Sequence, residues 1–146
     1  SMVQETARGE KLASPAEVYN VTKPLFAKHK DVETVLGIFL DTKNRILAIE
    51  TLFSGSIAGA NVYPREIVKR ILELESNALV LIHNHPSGCT EPSRADYSIT
   101  VKVMLALESI GVALHDHIIV GDCYLSMADE GFIAKVSSKI TDFEVL

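Results

Sequence analysis

The sequence is poor in cysteine and has no long apolar run. Its two cysteines, Cys89 and Cys123, lie far apart and outside any C-x-x-C spacing, which argues against a zinc knuckle or a redox pair and favours a reducing compartment. No apolar run approaches the roughly 18 residues that a membrane-spanning helix needs, and Lys and Glu interrupt the N-terminal segment where a signal peptide would be apolar. We therefore expect a cytoplasmic protein without membrane contact.

Basic residues are also in short supply. The 14 lysines and arginines are outnumbered by 19 aspartates and glutamates, so the formal net charge is −5. Because phosphate binding needs clustered cations, this balance disfavours nucleic acid as a partner of the domain. Prolines number only five and hydrophobic residues make up 47% of the chain, which indicates one compact domain across residues 1–146 and leaves a homo-oligomer open.

Helical stripes and short apolar runs alternate along the chain. SPAE begins a helix with Ser14 as its N-cap, and Gly111 is a stop signal for a later helix. We expect helices at about 14–28, 63–76 and 93–111, strands at 32–41, 45–53, 78–82, 112–121 and 123–129, and a short irregular end. This order predicts an α/β fold, a mixed β-sheet flanked by helices, with a core from about residue 14 to residue 133.

Two histidines follow the apolar run that ends at Ile82. In an extended segment, residues two apart point to the same side, so His83 and His85 can present their imidazoles to one point. A carboxylate would complete three ligands of a zinc ion and leave the fourth position to water. Asp96 is the candidate, because it stands in the first turn of a predicted helix, where the helix dipole favours an ionised carboxylate.

Each half of this arrangement also has an ordinary explanation. Residues 93–96, SRAD, can be a capping box that merely begins a helix, and an isolated H-x-H pair is a weak signal of metal binding. Found together at the end of a buried strand, they favour a metal site. A second pair, His115 and His117, lacks the turn and the downstream carboxylate, so we do not expect it to bind metal.

Two other enzyme classes share part of this pattern. A nucleobase deaminase would need H-x-E and a later P-C-x-x-C, and the chain has Asn84 between its histidines and no cysteine pair. The letters HNH do not indicate an HNH nuclease, because those enzymes spread the three residues across a ββα unit. Neither class fits the sequence.

The motifs resemble those of a known family. His83-x-His85-Pro86 followed by Ser93-x-x-Asp96 is similar to the H-x-H-P-x(6)-S-x-x-D signature of the JAMM zinc metalloproteases, also called JAB1/MPN+. The wider text YPREIVKR, LIHNHPSG, EPSRAD and DHIIVG resembles the RadC branch, bacterial proteins long labelled DNA repair proteins. The resemblance covers about residues 14–125 and implies the JAB1/MPN architecture, which is cytidine deaminase-like.

The resemblance also implies roles for individual residues. His83, His85 and Asp96 would bind Zn²⁺, and Ser93 would help to stabilise an oxyanion. JAMM enzymes use a glutamate near the start of the first strand as general base, and Glu33 occupies the matching place.

The general base has a rival in the sequence. Partial desolvation at the end of a sheet could tune the pKa of the Glu33 carboxyl, although a solvated strand end is the ordinary explanation of this residue. Glu66 is the rival, but the helix dipole already explains an acid in the first turn of its predicted helix. The family's D-H pair matches Asp116 and His117, which could orient the metal ligands from behind.

The activity that the resemblance implies is hydrolysis of a peptide or isopeptide bond by a zinc-activated water, with a peptide or protein as substrate. Two alternatives stay open, a metal-free scaffold and a DNA-repair-associated module. RadC proteins usually carry a helix-hairpin-helix segment before this domain, and we expect none in this chain. The sequence does not identify the natural substrate.

Overall fold

The computed structural model describes residues 7–28, 30–55 and 63–144. The helices are α1 (Pro15–Phe26), α2 (Pro64–Leu74), α3 (Arg94–Glu108) and α4 (Phe132–Glu144). The strands are β1 (Thr34–Leu40), β2 (Ile46–Ser54), β3 (Ala78–Asn84), β4 (Ala113–Val120) and β5 (Tyr124–Ser126). Within these residues, no helix has both the length and the hydropathy needed to cross a bilayer.

The strands form one mixed sheet in the order β2-β1-β3-β4-β5. The pairs β1–β2, β1–β3 and β4–β5 are antiparallel, whereas β3 and β4 are parallel. A parallel pair needs a long crossover connection, and α3 lies in the segment that joins β3 to β4. The mixed sheet predicted from the sequence is confirmed.

Helices cover both faces of this sheet. α1 packs on one face, and α2, α3 and α4 pack on the other. The central strands β1 and β3 are buried along their whole length, which explains their almost continuously apolar sequences. The result is a single small α/β domain that agrees with the JAB1/MPN architecture implied by the resemblance.

The end of the chain is the main error of the sequence-based prediction. Instead of an irregular tail, the 13 residues Phe132–Glu144 form α4. Ile133, Val136 and Ile140 recur at helical spacing and pack against the apolar core on the face that α2 and α3 also cover. This stripe of three apolar residues stabilises the helix. The sequence carries no strong capping signal from which α4 could have been predicted.

β3 is longer than predicted, because it includes the first histidine of the motif. His83 pairs with Val35 of β1 on one side and with Ile119 of β4 on the other, and Asn84 pairs with Val120. The strand therefore runs two residues beyond Ile82 and carries the His83 side chain into the protein interior.

Strand direction brings distant parts of the chain to one end of the central strands. Because β1 and β3 are antiparallel, residue 33, just before β1, lies beside the end of β3. The loop after β3 leads into the first turn of α3, which lies at the same end of the strands. Glu33, His83 and Asp96 therefore come close together although up to 63 positions separate them in sequence.

Candidate metal centre

Four side chains converge at the end of β3, next to the start of β1. The potential ligand atoms of Glu33, His83, His85 and Asp96 all lie within 4.8 Å of one another. The side chains of His83 and Asp96 are completely buried, whereas those of Glu33 and His85 are 19% and 15% exposed. The cluster thus has a closed side in the protein and an open side toward solvent.

The imidazoles and the carboxylate are in direct contact. His83 Nε2 lies 3.0 Å from His85 Nε2 and 3.1 Å from Asp96 Oδ1. His85 Nε2 lies 3.0 Å from Asp96 Oδ2. Glu33 is set further out, with its Oε1 atom 3.6 Å from His83 Nε2. The structure therefore brings the three predicted ligands together and places Glu33 beside them.

The His85 ring is oriented by a backbone carbonyl. Its Nδ1 atom lies 2.9 Å from the Cys89 carbonyl oxygen. Because a carbonyl only accepts hydrogen bonds, the ring proton resides on Nδ1. In the neutral ring, Nε2 then carries the lone pair, and Nε2 faces the cluster.

The loop that carries His85 is held against the turn between β4 and β5. The His85 N–H donates to the Val120 carbonyl at 2.7 Å, and the Asp122 N–H donates to the Gly88 carbonyl at 2.9 Å. Gly88 has a φ of +88°, and a Cβ atom on Gly121 would lie only 2.2 Å from the Gly88 carbonyl oxygen. Glycine at both positions permits this close approach of the two backbones.

Asp96 combines a helix cap with an unused acceptor. Its Oδ2 atom accepts the Ser93 N–H at 2.7 Å, and the Ser93 hydroxyl oxygen accepts the Asp96 N–H at 3.1 Å, so the predicted capping box is present. Burial disfavours the charged carboxylate, but contact with His83 and the bonds from Ser93 outweigh burial and hold the pKa of Asp96 well below its usual range. Among the described residues, the buried Oδ1 atom of Asp96 has no hydrogen-bond partner.

These features fit a bound cation. An ionised carboxylate oxygen without a hydrogen-bond donor is costly in a buried site. A divalent metal among Asp96, His83 and His85 would satisfy all three. Neutral imidazole and carboxylate are ligands that zinc and several other transition metals accept.

Behind His83 lies a second buried imidazole. His83 Nδ1 is 2.7 Å from His117 Nε2, and His117 Nδ1 is 2.6 Å from the Thr100 hydroxyl oxygen. His117 is fully buried, and burial, together with the neighbouring His83, lowers its pKa well below the usual value, so the ring is neutral. His117 lies directly behind His83, and its role in orienting that side chain stays a prediction. Thr100 carried no recognisable signal in the sequence.

Asp116 lies further from the cluster than its neighbour. Its carboxylate accepts the N–H groups of His117 at 2.7 Å and Ala128 at 2.9 Å, and it accepts the Ser126 hydroxyl. Burial raises the pKa of Asp116 despite these bonds. Its contacts therefore tie β4 to the end of β5 and reach the ligands only through the His117 backbone.

The other sequence candidates lie outside the cluster. His115 Nε2 contacts the Asn44 side-chain oxygen at 3.0 Å, and the register irregularity in the β3–β4 pairing falls at His115. Glu66 is 63% exposed on α2 and lies 3.8 Å from the Arg65 guanidinium.

Asn84, the middle residue of H-x-H, has a role that sequence reasoning missed. Its side-chain oxygen accepts the Thr34 N–H at 2.7 Å, and its side-chain N–H donates to the Val32 carbonyl at 3.0 Å. These two bonds bracket Glu33 and fix the backbone that carries it. The only available signal was the position of Asn84 between the histidines.

Ser93 is exposed and lies at the first turn of α3. Its hydroxyl oxygen accepts the Asp96 N–H, which leaves the hydroxyl proton free to donate elsewhere. Its role as an oxyanion donor stays a prediction.

Sequence comparison identifies the family. The profile described as a RadC-like JAB domain matches residues 12–132. A UPF0758 protein of Azotobacter vinelandii is 44% identical over 133 residues, 90% of this chain and 59% of the relative. The corresponding protein of Thioalkalivibrio sulfidiphilus is 42% identical over 132 residues, 89% of this chain and 58% of the relative. The chain thus spans about three fifths of the length of the curated relatives it matches. It belongs to the RadC-like JAB domain family.

Proposed function

We propose that this chain is a zinc-dependent hydrolase of the JAMM type that cleaves a peptide or isopeptide bond. The observation that carries the proposal is the buried, unpartnered Oδ1 atom of Asp96, 3.1 Å from His83 Nε2 and surrounded by the other potential ligands. A metal-free scaffold has no use for an ionised carboxylate oxygen left bare in the interior, because such an oxygen destabilises the fold unless a cation binds it.

His83, His85 and Asp96 would hold the zinc ion. Bound zinc supplies Lewis acidity, which polarises a carbonyl and makes a water molecule acidic enough to react near neutral pH. The three side chains come from β3, the following loop and α3, and the partly exposed Glu33 lies beside them.

Glu33 is suited to proton transfer. Its carboxylate lies 3.6 Å from His83 Nε2 and is 19% exposed, so it can reach both the metal position and the solvent. In the proposed reaction it accepts a proton from the attacking water and returns it to the leaving amine. The free hydroxyl proton of Ser93 would donate to the oxygen that gains negative charge at the scissile carbonyl.

A cleft beside His85 offers room for the substrate. It has a volume of about 380 Å³ and lies between α1 and the ends of β3 and β4, with Tyr19 and Phe26 on its wall. We place a segment of the peptide or protein substrate in this cleft. The same proposal covers the activity and the partners of the longer relatives. It also includes a cytoplasmic location, which the two free, exposed cysteines favour.

Metal analysis tests the centre. Protein purified without added zinc should contain about one zinc per chain, and Asp96→Asn should lose most of it, because the amide supplies no negative charge. Asp142→Asn, an exposed position on α4, is the matched control and should keep its zinc. Absence of metal from the wild type, even after incubation with Zn²⁺, would overturn the proposed function.

Activity analysis tests the base. Against a library of fluorogenic peptides, Glu33→Gln should retain its zinc and lose hydrolysis, whereas Glu66→Gln should behave like the wild type. Loss of turnover in Glu66→Gln with normal turnover in Glu33→Gln would transfer the role to Glu66.

A further inference from the structure

A chain of three short contacts runs from His83 to the backbone of Asp96. His83 Nδ1 lies 2.7 Å from His117 Nε2, His117 Nδ1 lies 2.6 Å from Thr100 Oγ1, and Thr100 Oγ1 lies 2.7 Å from the Asp96 carbonyl oxygen. All four residues are completely buried. Solvent therefore does not supply protons to this chain, and its own groups must satisfy each contact.

Each neutral imidazole in the chain carries one proton, and Thr100 carries one on its hydroxyl. In one order, each group donates away from the cluster, from His83 through His117 to Thr100 and on to the Asp96 carbonyl. In the reverse order, Thr100 donates to His117, His117 donates to His83, and the His83 proton is on Nε2. His83 Nε2 faces the cluster in both orders, but it is unprotonated in the first order and protonated in the reverse order.

The contact between Thr100 and the Asp96 carbonyl selects the first order. Two oxygen atoms approach to 2.7 Å only with a proton between them, and the carbonyl has none to give. The Thr100 hydroxyl must therefore donate to Asp96 and accept from His117 Nδ1. His117 Nε2 is then an acceptor, so the His83 proton is held on Nδ1 and the Nε2 lone pair points into the cluster.

We propose that Thr100 is a positioning residue that fixes the ring proton of His83 on Nδ1 and thereby keeps Nε2 available to the metal. This inference rests on the proposed metal centre and adds to it a residue that touches neither metal nor substrate. The Cys89 carbonyl orients His85 in the same way without an intermediary. Both imidazoles are thus prepared for metal by chains that end on a backbone carbonyl.

Thr100→Val is the direct test. Valine keeps the volume but neither accepts nor donates, so a proton on His117 Nδ1 would be buried without a partner. His117 then carries its proton on Nε2 and donates to His83, which leaves the His83 proton on Nε2, facing the cluster. Zinc affinity, measured by competition with a chromophoric chelator, should fall about 10- to 100-fold.

Two variants separate this effect from loss of packing. Thr100→Ser restores the hydroxyl and should recover affinity to within about threefold of the wild type. Thr22 of α1 is also completely buried and donates to a carbonyl four residues earlier at 2.8 Å, so Thr22→Val is the same chemical change far from the cluster. It should leave zinc affinity unchanged.

Long-range ¹H–¹⁵N correlation spectra of the zinc-free protein give a second readout. They distinguish a protonated from an unprotonated ring nitrogen, and His83 should carry its proton on Nδ1 in the wild type and in Thr100→Ser but on Nε2 in Thr100→Val. A wild type that binds zinc while Thr100→Val retains both the affinity and the Nδ1 proton overturns the role of Thr100 alone. A wild type that binds no zinc overturns the metal centre as well.

Discussion

The side-chain oxygen of Asn84 accepts the Thr34 backbone N–H at 2.7 Å across 50 positions of sequence. The bond is buried and lies next to Glu33, the proposed base. Together with the second bond, from Asn84 to Val32, it fixes the backbone on both sides of Glu33 against the end of β3. The residue between the two proposed histidine ligands therefore determines where the carboxylate of Glu33 can reach.

Asn84→Ala should impair turnover more than metal binding. The change removes both bonds that bracket Glu33 and leaves the buried Thr34 N–H without an acceptor, at a cost of about 1–3 kcal/mol in the free energy of unfolding. Displacement of the base should lower kcat about 10- to 100-fold, while zinc content stays near that of the wild type. Steady-state kinetics and metal analysis on the same samples measure both effects.

Asn77→Ala is the control, because Asn77 is exposed and lies at the opposite end of β3. Equal losses of turnover in the two variants would contradict a specific role for Asn84.

Gly121→Ala should loosen the loop that carries His85. Its new Cβ atom would lie 2.2 Å from the Gly88 carbonyl oxygen, a backbone atom that cannot move without shifting the loop. We expect a loss of about 1–3 kcal/mol in the free energy of unfolding, together with weaker zinc binding.

Gly37→Ala is the comparison, because its Cβ atom would lie 2.8 Å from the flexible end of the Leu52 side chain. This variant should bind zinc as the wild type does. Denaturant unfolding and chelator competition measure the two quantities, and equal zinc affinity in Gly121→Ala and the wild type would show that the loop tolerates the shift.

Arg70→Lys should weaken the attachment of α2 to the edge strand β2. The Arg70 guanidinium makes a bidentate contact with Glu50, with Nε 2.8 Å from Oε1 and Nη2 2.6 Å from Oε2. Lysine cannot reproduce this geometry, and because the pair is 39% and 30% exposed we expect only a small decrease in the unfolding midpoint in urea.

Arg65→Lys controls for the loss of a surface arginine, because the Arg65 side chain is 83% exposed and lies 3.8 Å from Glu66. It should leave the unfolding midpoint in urea unchanged. A midpoint for Arg70→Lys equal to that of Arg65→Lys would mean that the bidentate pair adds no stability.

Asp116 should make stability depend on pH in a direction set by its burial. Burial raises its pKa above the ordinary value of 3.8, so the folded protein holds this proton more tightly than the unfolded chain does. The stabilisation is fully present below the ordinary value and is lost as the pH rises through the raised pKa. Relative to Asp116→Asn, the wild type should therefore lose stability as the pH increases from the ordinary value toward neutrality.

Urea unfolding of both proteins in zinc-free buffer across this interval measures the difference. Asparagine can keep the bonds from His117 and Ala128 through its side-chain oxygen, but its NH2 group cannot accept the Ser126 hydroxyl. Because the loss of that bond is a constant difference, the change of the difference with pH reports the charge of Asp116. A difference in unfolding free energy that rises in favour of the wild type with pH would contradict the raised pKa.

Local patterns made most of the fold and the candidate ligands predictable. The capping residues Ser14 and Ser93 begin helices where the sequence indicated, because a cap bonds to an amide only three residues away. The spacing of His83 and His85 similarly follows from the period of an extended strand. The proposed roles of these side chains remain predictions.

The missed features depend on contacts between distant parts of the chain. Thr100 contacts His117 across 17 positions, and no local pattern distinguishes it from any other helical threonine. Asn84 reaches Thr34 across 50 positions. The helix α4 was overlooked for the opposite reason, because its apolar stripe is visible locally but neither end carries a strong capping signal. Tertiary packing against the sheet, which the sequence does not display, stabilises it.

The dispersed origin of the four clustered side chains has a thermodynamic consequence. Glu33, His83 with His85, and Asp96 belong to segments that become neighbours only when β1 has paired with β3 and α3 has docked. An unfolded chain therefore cannot form the cluster. Any cation that the cluster binds acts as a cross-link of the native topology. If that cation is the zinc ion of the proposed centre, the supply of zinc would govern how long the folded protein persists, in addition to its proposed activity.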